Sequence, residues 1–154
     1  IHGGGHERGM RSGTLATHQI VGMGEAFRLA KIHLQDETAR VRILRDRLLA
    51  GLETIEQVFI NGDMTQRVPH NLNITIPGVS GSKLHRALRS SVACSSGSAC
   101  SRGEPSHVLM ALGRSRQEAE ASLRLSLGRS STEHDIDQAI QAINGVIHQL
   151  RHKP

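Results

Sequence analysis

The sequence predicts an α/β domain, or an α+β domain with helices on one face of a small sheet, from three observations. Apolar residues three and four positions apart run from Ile20 to Leu48, which predicts one long amphipathic helix. Segments 71–76 and 122–127 alternate apolar and polar residues, which predicts strands. A stripe of isoleucines that begins at Ile136 predicts a final helix. The 154 residues are enough for one ordinary core, and with two Phe and no Trp or Tyr that core must be aliphatic.

Local signals predict where the long helix begins and ends. Thr14 or Thr17 can cap its start and Gly51 can end it, so it spans about thirty residues, or roughly 45 Å. A body of this size is shorter than that helix, so we expect one end to extend toward a further lobe. The chain also begins at Ile1 without an initiator Met, which suggests part of a larger protein.

Shorter elements fill the remainder of the chain, and each has a local signal. The apolar run 57–60 is closed by the turn sequence Asn-Gly-Asp, and Pro77-Gly78 stops the strand at 71–76. The other predicted elements are a helix at 82–88, a helix from Pro105 in its first turn to Gly113, a helical turn with a capping box of Ser115 and Glu118, and a final helix capped by Thr132.

Composition and charge narrow the class of protein. The net charge of +5 is spread along helices among acidic residues, and the chain lacks stacking aromatics, so we expect no nucleic-acid partner. No apolar run approaches the length of a membrane span and no signal-type segment opens the chain. Two cysteines make no disulfide framework, so we expect the cytoplasm or an organelle matrix.

The first candidate functional residue is Cys100, in a segment of small residues that packs a core poorly. Ser, Gly and Ala surround it on both sides, which predicts an exposed and mobile loop. Because cysteine is normally among the most buried residue types, a thiol on such a loop favours reactivity over packing.

The second candidate is Arg124, which the strand pattern places on the face opposite Leu123, Leu125 and Leu127. One interpretation is a solvent-facing charge, which periodicity alone favours. The other is a guanidinium held rigidly in mid-strand, a fork that suits a carboxylate. Arg129, just past Gly128, is less constrained.

The third candidate is the glycine-rich opening segment, residues 1–14, which carries two arginines and the hydroxyls of Ser12 and Thr14 directly before the helix. It can form an anion-binding entrance or a solvated loop. Cys94 can form a disulfide or share a metal, but a small residue at the end of a buried strand is favoured. No spacing among the ten histidines and two cysteines predicts a metal site.

Five motifs, taken in order, resemble one family over nearly the whole chain. They are GGGHERGMRSGT, PHNLNITIPG, SSGSAC, EPSHVLMALG and SLRLSLGR. Together they are similar to the C-terminal part of a group I cysteine desulfurase of the NifS and IscS kind, in the class V aminotransferase family.

The resemblance implies a homodimeric enzyme of the fold-type I architecture that uses pyridoxal 5'-phosphate. It implies conversion of L-cysteine to L-alanine, with the sulfur left as a persulfide on the nucleophile Cys100 and passed to an iron-sulfur scaffold or another sulfur acceptor. By the same resemblance, Arg124 would bind the substrate carboxylate and Thr14 would reach the cofactor phosphate in the neighbouring subunit's active site. A further role that the resemblance leaves open for Cys100 is that of a shared ligand of an iron-sulfur cluster.

The resemblance also implies a division of the chain. Residues 1–18 would end the large cofactor-binding domain, 19–51 would form a long interdomain helix, and 52–154 would form the small domain with the Cys100 loop. None of the lysines, Lys31, Lys83 and Lys153, lies in a matching motif, so we expect the Schiff-base lysine outside this chain and no turnover by the chain alone. The loop is also shorter than in the IscS type, with three residues between Cys100 and Glu104.

Two alternatives to a desulfurase remain at this point. One is a non-catalytic module of desulfurase descent that carries persulfide or binds a partner. The other is a relative similar to selenocysteine lyase, in which the same cysteine discriminates selenium from sulfur.

Overall fold

A computed structural model describes residues 1–95 and 104–152, and these fall into two compact units, Ile1–Asp36 and Glu37–Pro154. The described elements are a 3-10 turn at Glu7–Gly9, helices α1 (Thr17–Leu52), α2 (Gly81–Leu88), α3 (His107–Ala111), α4 (Arg116–Glu120) and α5 (Glu133–His152), and strands β1 (Phe59–Ile60), β2 (Asn71–Thr75) and β3 (Ser122–Ser126). The mixed α/β class with a small sheet agrees with the sequence prediction.

The long helix α1 is confirmed, and it ends at Leu52, one residue beyond the predicted stop at Gly51. In the second unit its apolar stripe is buried, with Leu44, Leu48 and Leu52 at most 3% exposed. In residues 1–36 the apolar stripe is exposed, and Phe27 keeps 71% of its surface. Residues 1–16 of this unit form only turns, a 3-10 turn and coil, which leave this apolar face uncovered.

The sheet is antiparallel with the order β1-β2-β3. Strand β1 is shorter than the predicted 57–60, because Gln57 has a φ of 57° and extended pairing begins only at Phe59. In the long β2–β3 pair, Asn73 lies directly opposite Arg124.

The core lies on one face of this sheet. Alternate residues Leu72, Ile74, Leu123 and Leu125 are at most 4% exposed. The second half of α1, helix α2 and helix α5 cover them with further aliphatic side chains, which include Val41, Leu44, Leu48, Leu84, Leu88, Ile136, Ile143 and Ile147. The aliphatic core predicted from composition is therefore present.

Capping residues determine where the helices around the sheet begin. The predicted capping box of Ser115 and Glu118 is present at the start of α4. Thr132 caps α5 through a 3.2 Å hydrogen bond from the backbone of Asp135. Helix α3 begins after Ser106, so Pro105 precedes the helix and does not occupy its first turn as predicted. Within the described ranges, no helix has the combination of length and apolar character needed to cross a membrane.

Candidate active site

The face of the sheet opposite the core is polar. In β2 it carries Asn71, Asn73 and Thr75, and in β3 it carries Ser122 and Arg124. Directly opposite residues of an antiparallel pair lie on the same face, so the pair Asn73 and Arg124 and the pair Thr75 and Ser122 are neighbours. We call this surface the polar face.

One end of the polar face is buried, and its side chains hydrogen-bond within the protein; we call it the closed end. Thr75 and Ser122 are both fully buried, and their hydroxyl oxygens lie 2.8 Å apart. Ser122 donates to the backbone oxygen of Glu118 in α4 over 2.8 Å. Because buried hydroxyls need partners, this chain of bonds explains how two polar side chains are accommodated in the interior.

Asn61 covers this closed end from the turn after β1, and it is 3% exposed. Its Nδ2 atom donates to Asn73 Oδ1 over 2.7 Å and to Thr75 Oγ1 over 2.8 Å. Its Oδ1 atom accepts from Arg114 Nε over 2.6 Å, and Arg114 Nη2 also donates to the Ile60 carbonyl over 3.1 Å. The Asn61 side chain is therefore fixed in one orientation by partners of known polarity.

The other end of the polar face opens into a cavity of about 320 Å³. Its polar lining comes from Asn61, Arg67, Asn71, Asn73, Ser106, His107 and Arg124. No described residue that lines it carries a carboxylate, and no ion pair among the described residues includes Arg124. A cavity lined by two guanidinium groups and by no described carboxylate attracts anions.

A second guanidinium, Arg67, strengthens the positive character of this cavity. Its Nη2 atom donates to the Asn61 carbonyl and its Nη1 atom lies 3.0 Å from Met64 Sδ. Burial lowers the pKa of Arg67 and the nearby Arg45 charge lowers it further, while the Asp63 charge raises it by a smaller amount. Asp63 does not line the cavity, so the charges on the lining itself are positive.

The loop after β3 distinguishes Arg124 from Arg129. Arg129 pairs with Glu37, so its charge is already matched. Arg40 donates to the carbonyls of Gly128 (3.1 Å), Arg129 (2.7 Å) and Ser131 (2.7 Å), which clamps this loop onto α1. Of the two arginines in the SLRLSLGR motif, Arg124 is the one available to a ligand.

Cys100 lies outside the described residues, since 96–103 are not described. The chain on both sides of that gap is described. Before it, Ser95 pairs with Arg124 in an antiparallel bridge, with N to O distances of 3.1 and 2.7 Å. After it, Ser106 and His107 line the same cavity as Arg124. The described chain before the gap therefore contacts the Arg124 backbone, and the described chain after it lines the same cavity as Arg124.

Cys94 is a half-buried thiol that packs against the core, but residues 92–94 are coil and not the buried strand that the favoured sequence interpretation expects. Its Sγ atom lies 3.8 Å from His85 Nδ1. Burial raises the pKa of Cys94, which disfavours the thiolate and hence nucleophilic attack. Among the described residues, no group of three or more His, Cys, Asp or Glu side chains is arranged to hold a metal ion.

Thr14 belongs to the first unit, and it is described there. Its side chain is exposed, and its carbonyl accepts from Arg11 Nη1 over 3.2 Å. The same Arg11 atom donates to Gly13 over 2.8 Å, which shapes the backbone just before α1, and Gly13 takes a φ of 95° that favours glycine. An exposed hydroxyl beside a guanidinium on a glycine-containing loop is compatible with a phosphate ligand.

Sequence reasoning missed the side chains that complete the cavity. Asn61 was assigned only to a turn, and Asn73 only to the polar side of a strand. His107 carried no signal beyond its motif. The alternation in 71–76 and 122–127 shows that Asn73 and Arg124 both lie on the polar side of their strands. It does not show which residues of the two strands lie opposite each other, so the pair Asn73–Arg124 could not be predicted.

Comparison with known proteins shows what this chain is similar to. Residues 4–139 match the family model described as Aminotransferase class-V. Over 153 residues the chain is 59% identical to the cysteine desulfurase IscS of Methylococcus capsulatus and 55% identical to that of Pseudomonas aeruginosa, covering 98% of this chain and 38% of each relative. The chain therefore spans less than two fifths of the length of these relatives.

Solved structures give the same result for the fold. A NifS-like protein from Rickettsia africae superposes with a TM-score of 0.85 at 30% identity, covering 96% of this chain and 39% of that protein. A second NifS-like protein gives 0.82 at 31% identity, with coverage of 97% and 38%.

Proposed function

This chain belongs to the class V aminotransferase family, and we propose that it supplies the carboxylate-binding arginine and the sulfur-accepting thiol of a cysteine desulfurase that uses pyridoxal 5'-phosphate. The relatives named above are cysteine desulfurases, and the fold is that of NifS-like proteins. The proposal concerns the complete protein, of which this chain corresponds to 38% in its relatives.

One observation carries the proposal. The segment that contains Cys100 begins at Ser95, which pairs with the backbone of Arg124, and the chain after it returns to the Arg124 cavity at Ser106. Described residues that flank this segment thus contact Arg124 or line its cavity, and this is the support for the proposal. This favours a shared substrate for Cys100 and Arg124.

In the proposed reaction, Arg124 binds the carboxylate of L-cysteine through charge-assisted hydrogen bonds, which orient the substrate sulfur. The Cys100 thiolate attacks that sulfur and forms an S–S bond, while the substrate C–S bond breaks. The electron pair of the C–S bond passes to the substrate carbon, which takes up a proton and becomes the methyl group of L-alanine. The sulfur remains on Cys100 as a persulfide.

When bound, pyridoxal phosphate supplies the electron sink that makes the C–S bond of the substrate labile. Among this chain's residues, Thr14 would hold the cofactor phosphate, and we propose that it does so in the neighbouring subunit of a homodimer. We place the Schiff-base lysine outside this chain, because none of its three lysines lies in a matching motif. The sulfur acceptor would be an iron-sulfur scaffold or another carrier protein, in the cytoplasm or an organelle matrix.

The experiment uses the complete enzyme and L-cysteine labelled with ³⁵S. We expect protein-bound, thiol-releasable label in the unmodified enzyme and in Cys94→Ala, and no such label in Cys100→Ala. Cys94→Ala is the matched control, because burial raises the pKa of that thiol and disfavours the thiolate. Retention of label in Cys100→Ala would remove Cys100 from the role of sulfur acceptor.

A further inference from the structure

The orientation of the Asn73 side chain is set by the residues beneath it. An asparagine amide has one accepting end and one donating end, and the two can exchange places unless neighbours fix them. Asn61 fixes Asn73, because its Nδ2 atom donates to Asn73 Oδ1 over 2.7 Å. The question is therefore what fixes Asn61.

Asn61 is held by a donor that cannot act as an acceptor. The Arg114 guanidinium donates to Asn61 Oδ1 through Nε over 2.6 Å, so that end of the Asn61 amide must be the oxygen. The opposite end must then be the Nδ2 donor, which reaches both Asn73 and Thr75. The hydroxyls below are compatible with this assignment. Ser122 donates to a backbone carbonyl, and the Thr75 hydroxyl has two acceptors in reach, Ser122 Oγ at 2.8 Å and Asn61 Oδ1 at 3.2 Å.

This directed chain leaves the Nδ2 group of Asn73 on the side away from Asn61. Asn73 lines the cavity, and its cross-strand partner is Arg124. No hydrogen bond from Asn73 Nδ2 to another described residue competes for this group. The polar face therefore presents an amide donor next to the guanidinium, at the open end of the face.

We propose that Asn73 donates a hydrogen bond from Nδ2 to the same carboxylate that Arg124 binds, and that Asn61 is the positioning residue that holds the donating end of Asn73 toward the cavity. This inference rests on the proposed function, since it takes the substrate carboxylate as the ligand. A carboxylate accepts through two oxygens, so one amide and one guanidinium can bind it together. With the Asn73 amide reversed, an oxygen would face the carboxylate and oppose binding.

The test compares two ligands that differ only in the carboxylate: L-cysteine and cysteamine. Affinities are measured by calorimetry on the complete enzyme with its cofactor, in a Cys100→Ala background that stops sulfur transfer. For Asn73→Ala we expect L-cysteine to bind about 10- to 100-fold more weakly, the range typical of a lost hydrogen bond to a charged group, while cysteamine changes less than about twofold.

Asn61→Asp tests the positioning role with almost no change in shape. Its oxygens cannot donate to Asn73 Oδ1, so the Asn73 amide turns over to donate toward position 61 and directs its oxygen into the cavity. Because Asn61 lines the cavity, the new charge itself also repels a carboxylate, so Asn71→Asp, which adds the same charge to the lining, is the reference. We expect L-cysteine affinity to fall about tenfold further in Asn61→Asp than in Asn71→Asp, with little change for cysteamine. Arg114 and Arg67 adjoin the new charge and support folding, and the melting temperature of each variant is measured alongside.

Ser126→Ala is the matched control, because Ser126 is exposed on the same face of β3 and does not line the cavity. The readout is the ratio of the affinity for L-cysteine to the affinity for cysteamine. If this ratio is the same in Asn73→Ala as in Ser126→Ala, the inference is overturned. If Asn73→Ala shows the loss and folded Asn61→Asp does not, Asn73 keeps its role and the positioning role of Asn61 is overturned. Arg124→Ala separates the two proposals: an unchanged ratio there contradicts the carboxylate site itself, whereas a loss there with an unchanged Asn73→Ala contradicts only this inference.

Discussion

The two faces of the β2–β3 pair are built from alternate residues of the same strands, and they serve different purposes. On one face Leu72, Ile74, Leu123 and Leu125 are at most 4% exposed and pack under helices. On the other face every residue is polar, and burial changes along it, from the fully buried pair Thr75–Ser122 to the exposed Arg124. The period of two in a strand therefore places a buried apolar face and a polar face, to which we assign the proposed ligand site, on the same two strands.

The polar face itself divides into a closed end and an open end. At the closed end the buried side chains hydrogen-bond to one another and to the backbone, so they stabilise the fold. At the open end the positive charge of Arg124 has no partner among the described residues. Unmatched charge beside a rigid, satisfied network is a suitable arrangement for binding a ligand, because the network limits reorganisation.

The largest expected effect comes from breaking the apolar face. Leu123→Ala should destabilise the fold by about 2–5 kcal/mol, because Leu123 is fully buried and its loss leaves a cavity. Chemical denaturation of the chain measures this. Leu34→Ala is the control, since Leu34 is 63% exposed, and equal losses in the two variants would contradict the assignment of the core.

A smaller effect tests whether the closed end of the polar face is structural. Thr75→Val preserves shape but removes the hydroxyl that links Asn61 to Ser122, so we expect a loss of about 1–2 kcal/mol in the free energy of unfolding. Thr75→Ser keeps the hydroxyl and should recover most of the loss. A Thr75→Val variant as stable as the unmodified chain would contradict a structural role for this network.

The smallest effect concerns the pH dependence of helix α4, whose Glu118 carbonyl accepts the hydrogen bond from Ser122. The backbone N–H and then the hydroxyl of Ser115 lower the pKa of the Glu118 carboxyl from its ordinary value of 4.5. A lowered pKa in the folded state means that this stabilisation is complete above the ordinary value and is lost as the pH falls through the lower, folded value. Stability should therefore decline on acidification below about pH 4.5.

Glu118→Gln should make that decline shallower, because the side chain at this position then no longer titrates. Melting temperatures recorded between about pH 6 and pH 3 measure the slope, with Glu53→Gln as the exposed control. An unchanged slope in Glu118→Gln would show that the cap contributes nothing to acid sensitivity.

Much of this arrangement could be predicted from the sequence, because local signals determine it. Alternation in 71–76 and 122–127 predicted both strands and the side of the sheet that carries Arg124. The five motifs predicted the desulfurase family, which the relatives confirm. The capping residues Ser115 and Thr132 were predicted because caps depend on sequence neighbours alone.

The remaining features depend on contacts between distant residues. Asn61 lies twelve residues before Asn73 and 53 before Arg114, and only the fold brings the three together. The apolar stripe in residues 1–36 is exposed, although its periodicity is that of a buried face. Periodicity predicts an apolar face but not what covers it. The sulfur-accepting role of Cys100 and the phosphate-binding role of Thr14 stay predictions.

The central claim is that the open end of the polar face binds a carboxylate through Arg124. Calorimetry of the complete enzyme, in the Cys100→Ala background, compares the affinities of Arg124 and Arg124→Ala forms for L-cysteine and for cysteamine. We predict that Arg124→Ala weakens L-cysteine binding about 100-fold and cysteamine binding less than about threefold. An equal loss for both ligands, or no loss for L-cysteine, would contradict the claim.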